Sequence, residues 1–536
     1  MTANPSEDVL DVAALRRAAE ALAGSPVLGV AVVLAAPHPD TPREAAGDPR
    51  RVRVDLLALA DERHTFVVHC NCFSPGDLRL LAPVLAGPYV VFPDAQFHLT
   101  ALAGLGLAVT RVGCTRTAAT LLAEGVIARH DELEIAALAR RHLGGPGLPG
   151  EWLSGQVLPA WSRLEVVAAA AAAAPALLRV LTPELRARGL SRAYELECKL
   201  LPAVVAMEAA GIAVDGPRWN TIADGWRAEL QVTEAPERKA QLEKLVSTYA
   251  HWPREHLGDD GRMRTHLHPL ATDSGRFACS QPNLQQVPSE HTAPGLRACF
   301  RAEPGHVLVV ADYAQIELRV AAHLAPCPAM QAVFHAGRDP HRATAATLAR
   351  KPEAEVTAHE RKLAKAVNFG FLFGMGARRF QDYAEASYGL ALDLAAAERA
   401  REAFFATFPG IAAWHRKVSA LQPRSAREDQ TVRTAMGRRK RFLAGKFSFN
   451  AALNIPVQGT AAEGFKKAMT ALHPALAELG GRGILCVHDE YLAEVPEEHG
   501  EAARALVQQV MQDAMAEVVT SVPIVVDSRV AASWAE

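Results

Sequence analysis

Two acids sit where apolar runs end. Val307–Ala311 leads into Asp312, and Ile484–Val487 leads, by way of His488, into Asp489. A short apolar run that stops at an acid reads as a buried strand presenting a carboxylate at its end. Two such ends brought together would hold a pair of divalent cations a few ångströms apart, the arrangement that phosphoryl transfer uses. A single acid at a strand end is ordinarily a turn former or a helix cap, so the pair carries the argument. Glu317 follows Asp312 by about one helical turn, and Glu490 follows Asp489 directly.

Between the acids lies Arg361–Gly374, RKLAKAVNFGFLFG. Arg361, Lys365, Phe369 and Phe373 recur every four residues, which places them along one helix face. A stripe of guanidinium, ammonium, ring and ring suits a nucleoside triphosphate, whose phosphates meet the cations and whose base meets the rings. Taken alone, the same pattern is an amphipathic helix with basic edges. Arg361–Phe380 carries five basic residues and no acid, and Thr431–Asn450 carries six and no acid. Such stretches can bind phosphates even on a chain of formal net charge −2.

The supporting elements can be read more coarsely. Val27–Leu34, Arg51–Val68 and Tyr89–Phe92 are apolar and rich in β-branched residues, which predicts strands, alternating with helices up to about residue 180. Ser191–Ile212 predicts an amphipathic helix, and Trp219–Trp252 a charged helical stretch broken near Pro236. Gly258–Arg264 reads as a boundary loop. The alanine-rich run Ala168–Ala174 is expected to stop at Pro175, which leaves no apolar run of membrane-spanning length. The polar N-terminus differs from a signal peptide, and eight scattered cysteines without ligand-pair spacing suit a reducing cytosol better than structural zinc. The expectation is a cytoplasmic, nucleoid-associated protein with no membrane.

The three motifs, DYAQIELR from Asp312, the Arg361–Gly374 helix and VHDE around Asp489, stand in the order of motifs A, B and C of family A DNA polymerases, and the chain resembles that family. The resemblance implies an α+β multidomain fold, a right hand of palm, fingers and thumb. It implies DNA-templated addition of dNTPs to a primer 3′-hydroxyl by a two-metal mechanism, with Mg²⁺ as the ions and Mn²⁺ as a substitute. Primer–template DNA and dNTPs would be the partners, in replication or repair. Asp312, Asp489 and the Tyr313 carbonyl would hold metal, and Lys365 would serve as general acid. Tyr313, Gln315, Glu317, His341, Arg361, Lys365, Phe369 and Phe373 would surround the dNTP, with Glu317 as the gate against ribonucleotides. ATDSGRFACSQPNLQQVPS and NIPVQGTAA match further family stretches. They imply DNA contacts from Arg276, Asn283, Gln285, Asn454 and Gln458, with His488 near the primer terminus.

The chain also departs from the family. Phe373 stands where tyrosine is usual, and Asn450 where arginine is frequent. The N-terminal region resembles the family's α/β, RNase H-like 3′–5′ exonuclease by position, yet the matching places hold Ala31, Val33, His98 and the apolar Val166–Ala171. Apolar side chains cannot hold Mg²⁺, so a degenerate, non-proofreading domain is expected, with no 5′ nuclease. The resulting layout is 1–190 exonuclease-like, 191–264 a shortened thumb, 265–335 palm, 336–430 fingers and 431–536 the rest of the palm. A short thumb implies fewer phosphate contacts and a distributive enzyme. The competing reading is a non-catalytic DNA-binding scaffold on a polymerase fold, against which the intact Asp312, Asp489, Arg361 and Lys365 argue.

Overall fold

A computed structural model describes residues 5–35, 48, 50–126, 130–144 and 160–535. The chain divides into two compact units. One comprises Met1–Ile212, Arg254–Leu267 and Arg482–Ile484; the other comprises Ala213–Pro253, His268–Gly481 and Leu485–Glu536.

The first unit is built on a six-stranded sheet. Its order is Glu7–Val9, Thr65–His69, Val54–Ala60, Val27–Leu34, Tyr89–Phe92, Val112–Cys114. Val54–Ala60 runs antiparallel to both its neighbours, and the outer pairs are parallel. The expected single strand over Arg51–Val68 is therefore a hairpin. Asp61 turns it by accepting from the Arg63 and His64 amides at 2.8 and 2.7 Å.

The helix expected to stop at Pro175 instead runs from Ala160 to Ala187 through Pro175 and Pro183. Pro175 has no N–H for the Ala171 carbonyl. At that level Gly29 lies so close that a Cβ there would stand 1.8 Å from the Ala171 oxygen. Only a glycine lets the strand approach the helix this closely at the Pro175 turn. Arg163–Ala187 is long and apolar enough to cross a membrane by length and composition, with mean hydropathy 1.8. It packs on the Val27–Leu34 and Val54–Ala60 strands, and Val166, Val167, Ala170, Ala171 and Leu177 are buried there. It is the core helix of this unit. Ser191–Ala210 is a second long helix, as expected.

The second unit carries the motifs. Its principal sheet orders Arg482–Val487, Glu490–Pro496, His306–Tyr313 and Val526–Ala531. His306–Tyr313 lies between two antiparallel partners, which explains its nearly continuous apolar run. The Gly500–Ala516 helix covers one face. Tyr313 turns to that face and its hydroxyl donates to the Met511 carbonyl at 2.7 Å. Successive strand residues alternate faces, so Asp312 is presented on the open side.

Gly216–Val232 and Pro236–Tyr249 form the helical pair expected over Trp219–Trp252, and the break falls at Pro236 as read. Trp219 is buried between them and donates to the Tyr249 carbonyl at 3.0 Å. The basic stretch Thr431–Asn450 forms a hairpin of Gln430–Arg433 and Arg439–Phe442. Arg438 in its turn is buried, and Lys440 pairs with Asp273 at 2.9 Å. This stretch is therefore partly structural and not a wholly solvated face.

Candidate active site

Asp312 and Asp489 converge. Both line a cleft of about 550 Å³ together with Arg276, Tyr313, Gln315, Glu317, His341, Arg361, Lys365, Phe369, His488 and Asp527. Segments far apart in the sequence thus meet within one unit.

The local backbone explains how the acids arrive. His488 and Asp489 are the two residues between the strands Arg482–Val487 and Glu490–Pro496, and His488 sits at φ 58°. Gln315, between Asp312 and the Ile316–Leu324 helix, sits at φ 56°. Non-glycine residues rarely adopt this left-handed region, and such strain gathers at functional sites. Each turn aims an acid from a strand end into the cleft.

Electrostatics mark the same place. Partial desolvation, with Asp489 and Glu490 nearby, pushes the Asp312 carboxyl up to about 7. Burial also raises Asp489 and Glu490 above the usual carboxylate range. Opposing carboxylates of this kind are stabilised by a cation. Among the described residues, no group of three or more His, Cys, Asp or Glu side chains could hold a metal ion. Asp312, Asp489 and the Tyr313 carbonyl are the groups at the cleft that could serve as donors. That set fits Mg²⁺, which commonly takes one or two carboxylates and completes its shell with substrate phosphates and water.

The cationic wall comes from the helix Ala358–Leu372. Thr357 and Glu360 close a capping box at its N-terminus: Glu360 accepts from the Thr357 amide at 2.7 Å, and Thr357 Oγ1 accepts from the Glu360 amide at 3.2 Å. Arg361, Lys365 and Phe369 follow along one face into the cleft. The helix ends at Leu372, with Phe373 at its C-cap and Gly374 at φ 77°. Phe373 is outside the helical register and does not line this cleft. Its carbonyl accepts from Asn450 Nδ2 at 2.7 Å, so Asn450 anchors the helix end.

His341 packs its ring 5.8 Å from that of Phe369, and Asn368 Nδ2 meets His341 Nδ1 at 3.0 Å. Burial, with Arg361 and Lys365 adding to it, lowers the imidazole to about 4, so His341 is neutral at pH 7. Sequence reasoning missed Asp339. It caps the Pro340–Ala349 helix by accepting from the His341 amide at 2.9 Å, and its other oxygen accepts from Arg361 Nε at 2.6 Å. The DPH triplet was the available signal, since an acid before Pro is a frequent helix cap.

The remaining candidates divide. Arg276 reaches Glu317, and His488 stands at the cleft beside them. Asn283, Gln285, Asn454 and Gln458 do not line the cleft. Gln285 Nε2 donates to the Cys486 carbonyl at 3.4 Å, on the strand leading to Asp489. Asn283 Oδ1 accepts from Cys279 Sγ at 3.1 Å. Asn454 and Gln458 are one turn apart on the Phe449–Ala477 helix, and the Asn454 amide oxygen is buried without a hydrogen-bond partner. Asp527, also missed, enters the cleft from the Val526–Ala531 strand.

Comparison with known proteins agrees with this picture. The description "DNA polymerase family A" matches residues 230–536. A thermostable DNA polymerase I of Thermus filiformis is 40% identical over 310 residues, covering 55% of this chain and 35% of that protein. DNA polymerase I of Rhizobium leguminosarum is 33% identical over 438 residues, covering 67% of this chain and 42% of the relative. The chain thus spans less than half the length of these relatives. In fold it is similar to the POL domain of Pol1 from M. smegmatis, solved in complex with DNA primer-template and dNTP. The TM-score is 0.82 at 23% identity, over 99% of each chain. With the acids, the cationic helix and the sheet in one unit, the chain belongs to DNA polymerase family A.

Proposed function

We propose that this protein is a DNA-templated DNA polymerase that adds dNTPs to a primer 3′-hydroxyl. The observation that carries the reading is the meeting of Asp312, Asp489, Arg361, Lys365 and Phe369 in one cleft. Carboxylates on one wall and phosphate-seeking cations on the other are what a metal-bound triphosphate requires.

In this reading Asp312, Asp489 and the Tyr313 carbonyl hold Mg²⁺, with Mn²⁺ as a substitute. The ions would lower the pKa of the primer hydroxyl and offset charge on the leaving pyrophosphate. Arg361 and Lys365 would orient the triphosphate, with Lys365 as the general acid toward pyrophosphate. Phe369, backed by the neutral His341, offers a face to the base or sugar. Glu317 excludes a 2′-hydroxyl, and Gln315 lies beside it in the strained turn. Phe373 would lie outside this first contact, toward the template. Arg276, Asn283, Gln285, Asn454, Gln458 and His488 serve the primer–template duplex, and the unpartnered Asn454 oxygen supports a ligand there.

The layout keeps the boundaries read from the sequence: 1–190, a shortened thumb over 191–264, palm 265–335, fingers 336–430, palm 431–536. The N-terminal domain acts as scaffold without proofreading. Ala31 and Val33 are buried in the Val27–Leu34 strand and His98 is wholly buried, which supports that role. The shortness of the 191–264 thumb supports distributive synthesis. No 5′ nuclease is assigned, and the place of work would be the bacterial nucleoid.

The test is extension of a labelled primer–template with dNTPs and Mg²⁺ by wild type, Asp312→Ala and Asp489→Ala, with a mismatched primer lacking dNTPs alongside. Extension by wild type alone, with the mismatched end intact, is the expected result. Wild-type failure across metal and salt conditions would favour a DNA-binding scaffold.

A further inference from the structure

Asp312 has an acid beside it on each neighbouring strand. The register sets it opposite Glu490 on one side and Asp527 on the other. Directly paired residues share a face of the sheet, so Glu490, Asp312 and Asp527 form a row of three carboxylates across three strands. Paired positions bring Cβ atoms to about 4.5–5.5 Å, where like charges destabilise the sheet. Glu490 is held, its Oε2 accepting from Trp534 Nε1 at 3.0 Å. Asp527 is exposed and lines the cleft. Arg297 and Arg529 lie close enough to act on Glu490, and Arg319 on Asp527, whereas the charges acting on Asp312 are the acids Asp489, Glu490 and Asp527, so Asp312 is where positive charge is wanted.

Direct ligation by Asp527 fits poorly, because no three acidic or imidazole groups among the described residues converge as a metal cage. Mg²⁺ dehydrates reluctantly and keeps several waters, which themselves need acceptors. We infer that Asp527 is a positioning residue for the cation that Asp312 ligates, accepting hydrogen bonds from the ion's water shell. This rests on the polymerase reading of the cleft. Outer acceptors of this type commonly change metal affinity by about 10–100-fold. Asp527 belongs to the strand Val526–Ala531, so this segment would complete a site whose first acid, Asp312, lies far earlier in the chain.

The test measures Mn²⁺ binding to the full chain by electron paramagnetic resonance, without DNA or nucleotide, for wild type, Asp527→Asn, Asp527→Ser and Asp312→Asn. Asp527→Asn and Asp527→Ser are each expected to weaken Mn²⁺ by about tenfold. Thermal melting supplies a second readout. Mn²⁺ should raise the midpoint of Asp527→Asn by less than it raises that of wild type, each compared with its own value in chelator. Mn²⁺ affinity within twofold of wild type for both Asp527 variants overturns the inference. Wild-type affinity in Asp312→Asn would overturn the reading of the cleft itself, an outcome distinct from loss in Asp312→Asn alone.

Discussion

Arg276 Nη2 stands 2.5 Å from Glu317 Oε1, joining the loop before Ala278 to the first turn of the Ile316–Leu324 helix. Both side chains are mostly shielded, and both border the cleft. A charge-assisted pair in such a place fixes the rotamer of each partner. The guanidinium assigned to the primer terminus and the carboxylate assigned to the sugar therefore hold one another.

Sugar discrimination should depend on both residues. Glu317→Ala is expected to lower the ratio of kcat/KM for dNTP over rNTP by at least tenfold. Arg276→Met should lower it in the same direction while also slowing dNTP addition. The double variant should lose less discrimination than the two single losses multiplied, because residues in contact are not additive. Single-nucleotide kinetics with matched dNTP and rNTP measure all three. Unchanged discrimination in Arg276→Met would show that Glu317 is positioned without it.

Asp339 and Arg361 make a second prediction. In the proposed reading an incoming triphosphate would share the Arg361 guanidinium with the Asp339 carboxylate, which accepts from Nε at 2.6 Å. Arg361→Ala should raise KM for dNTP by about 10–100-fold, the scale of a lost charged hydrogen bond. Asp339→Asn should act oppositely and lower KM by a few fold. It removes a negative charge while asparagine keeps the helix cap. Measured KM values moving together in both variants would mean that Asp339 orients Arg361 more than it competes for it.

A third prediction concerns pH and the first unit. Burial pushes the Glu208 carboxyl from 4.5 up to about 7, against the lowering effect of the Leu267 amide, Arg50 and Gln96. Its oxygen accepts from the Leu267 amide at 2.7 Å and from Gln96 Nε2 at 3.0 Å. Between pH 4.5 and 7 the folded chain keeps a proton here that the unfolded chain has lost, so stability falls as pH rises through that window. A tenfold difference in proton affinity between the two states is worth about 1.4 kcal/mol. Glu208→Gln should flatten that portion of the stability profile and leave the variant more stable than wild type at pH 8. Parallel profiles for wild type and variant in denaturant melts would contradict this.

The sequence and structure agree where local signals sufficed. Asp312 and Asp489 were legible because each ends an apolar run, and Arg361, Lys365 and Phe369 because helical spacing aligns them. Phe373 kept the same spacing but left the stripe, since the helix stops one residue earlier at a turn set by Gly374. That ending depends on packing: a Cβ at Gly374 would stand 2.8 Å from Phe449. Pro175 misled for a related reason, as the close approach at that turn is to Gly29 on another element. Asp527 was illegible because only strand register places it opposite Asp312. Register across a sheet is a tertiary property, and nothing in VVDSRV carries it.

Two glycines in the second unit should respond to alanine with opposite signs. Gly459 lies on the Phe449–Ala477 helix between Asn454 and the buried Glu463. A Cβ there would stand 2.4 Å from Thr434 Cγ2 and 2.7 Å from the Ser274 carbonyl oxygen. The second contact is with backbone, two residues before Arg276, and cannot be relieved by rotating a side chain. Gly459→Ala should therefore destabilise by about 1–3 kcal/mol, the usual cost of overpacking. It should also slow primer extension by displacing the Arg276 loop. At Gly225, in the Gly216–Val232 helix, a Cβ would meet nothing within 4 Å. Gly225→Ala should stabilise by about 0.5–1 kcal/mol through helix propensity alone, with extension unchanged. Thermal melts and extension assays on the pair separate the two effects. A neutral Gly459→Ala would mean that the helix and the Arg276 loop can part without cost, and that Arg276 is placed by Glu317 alone.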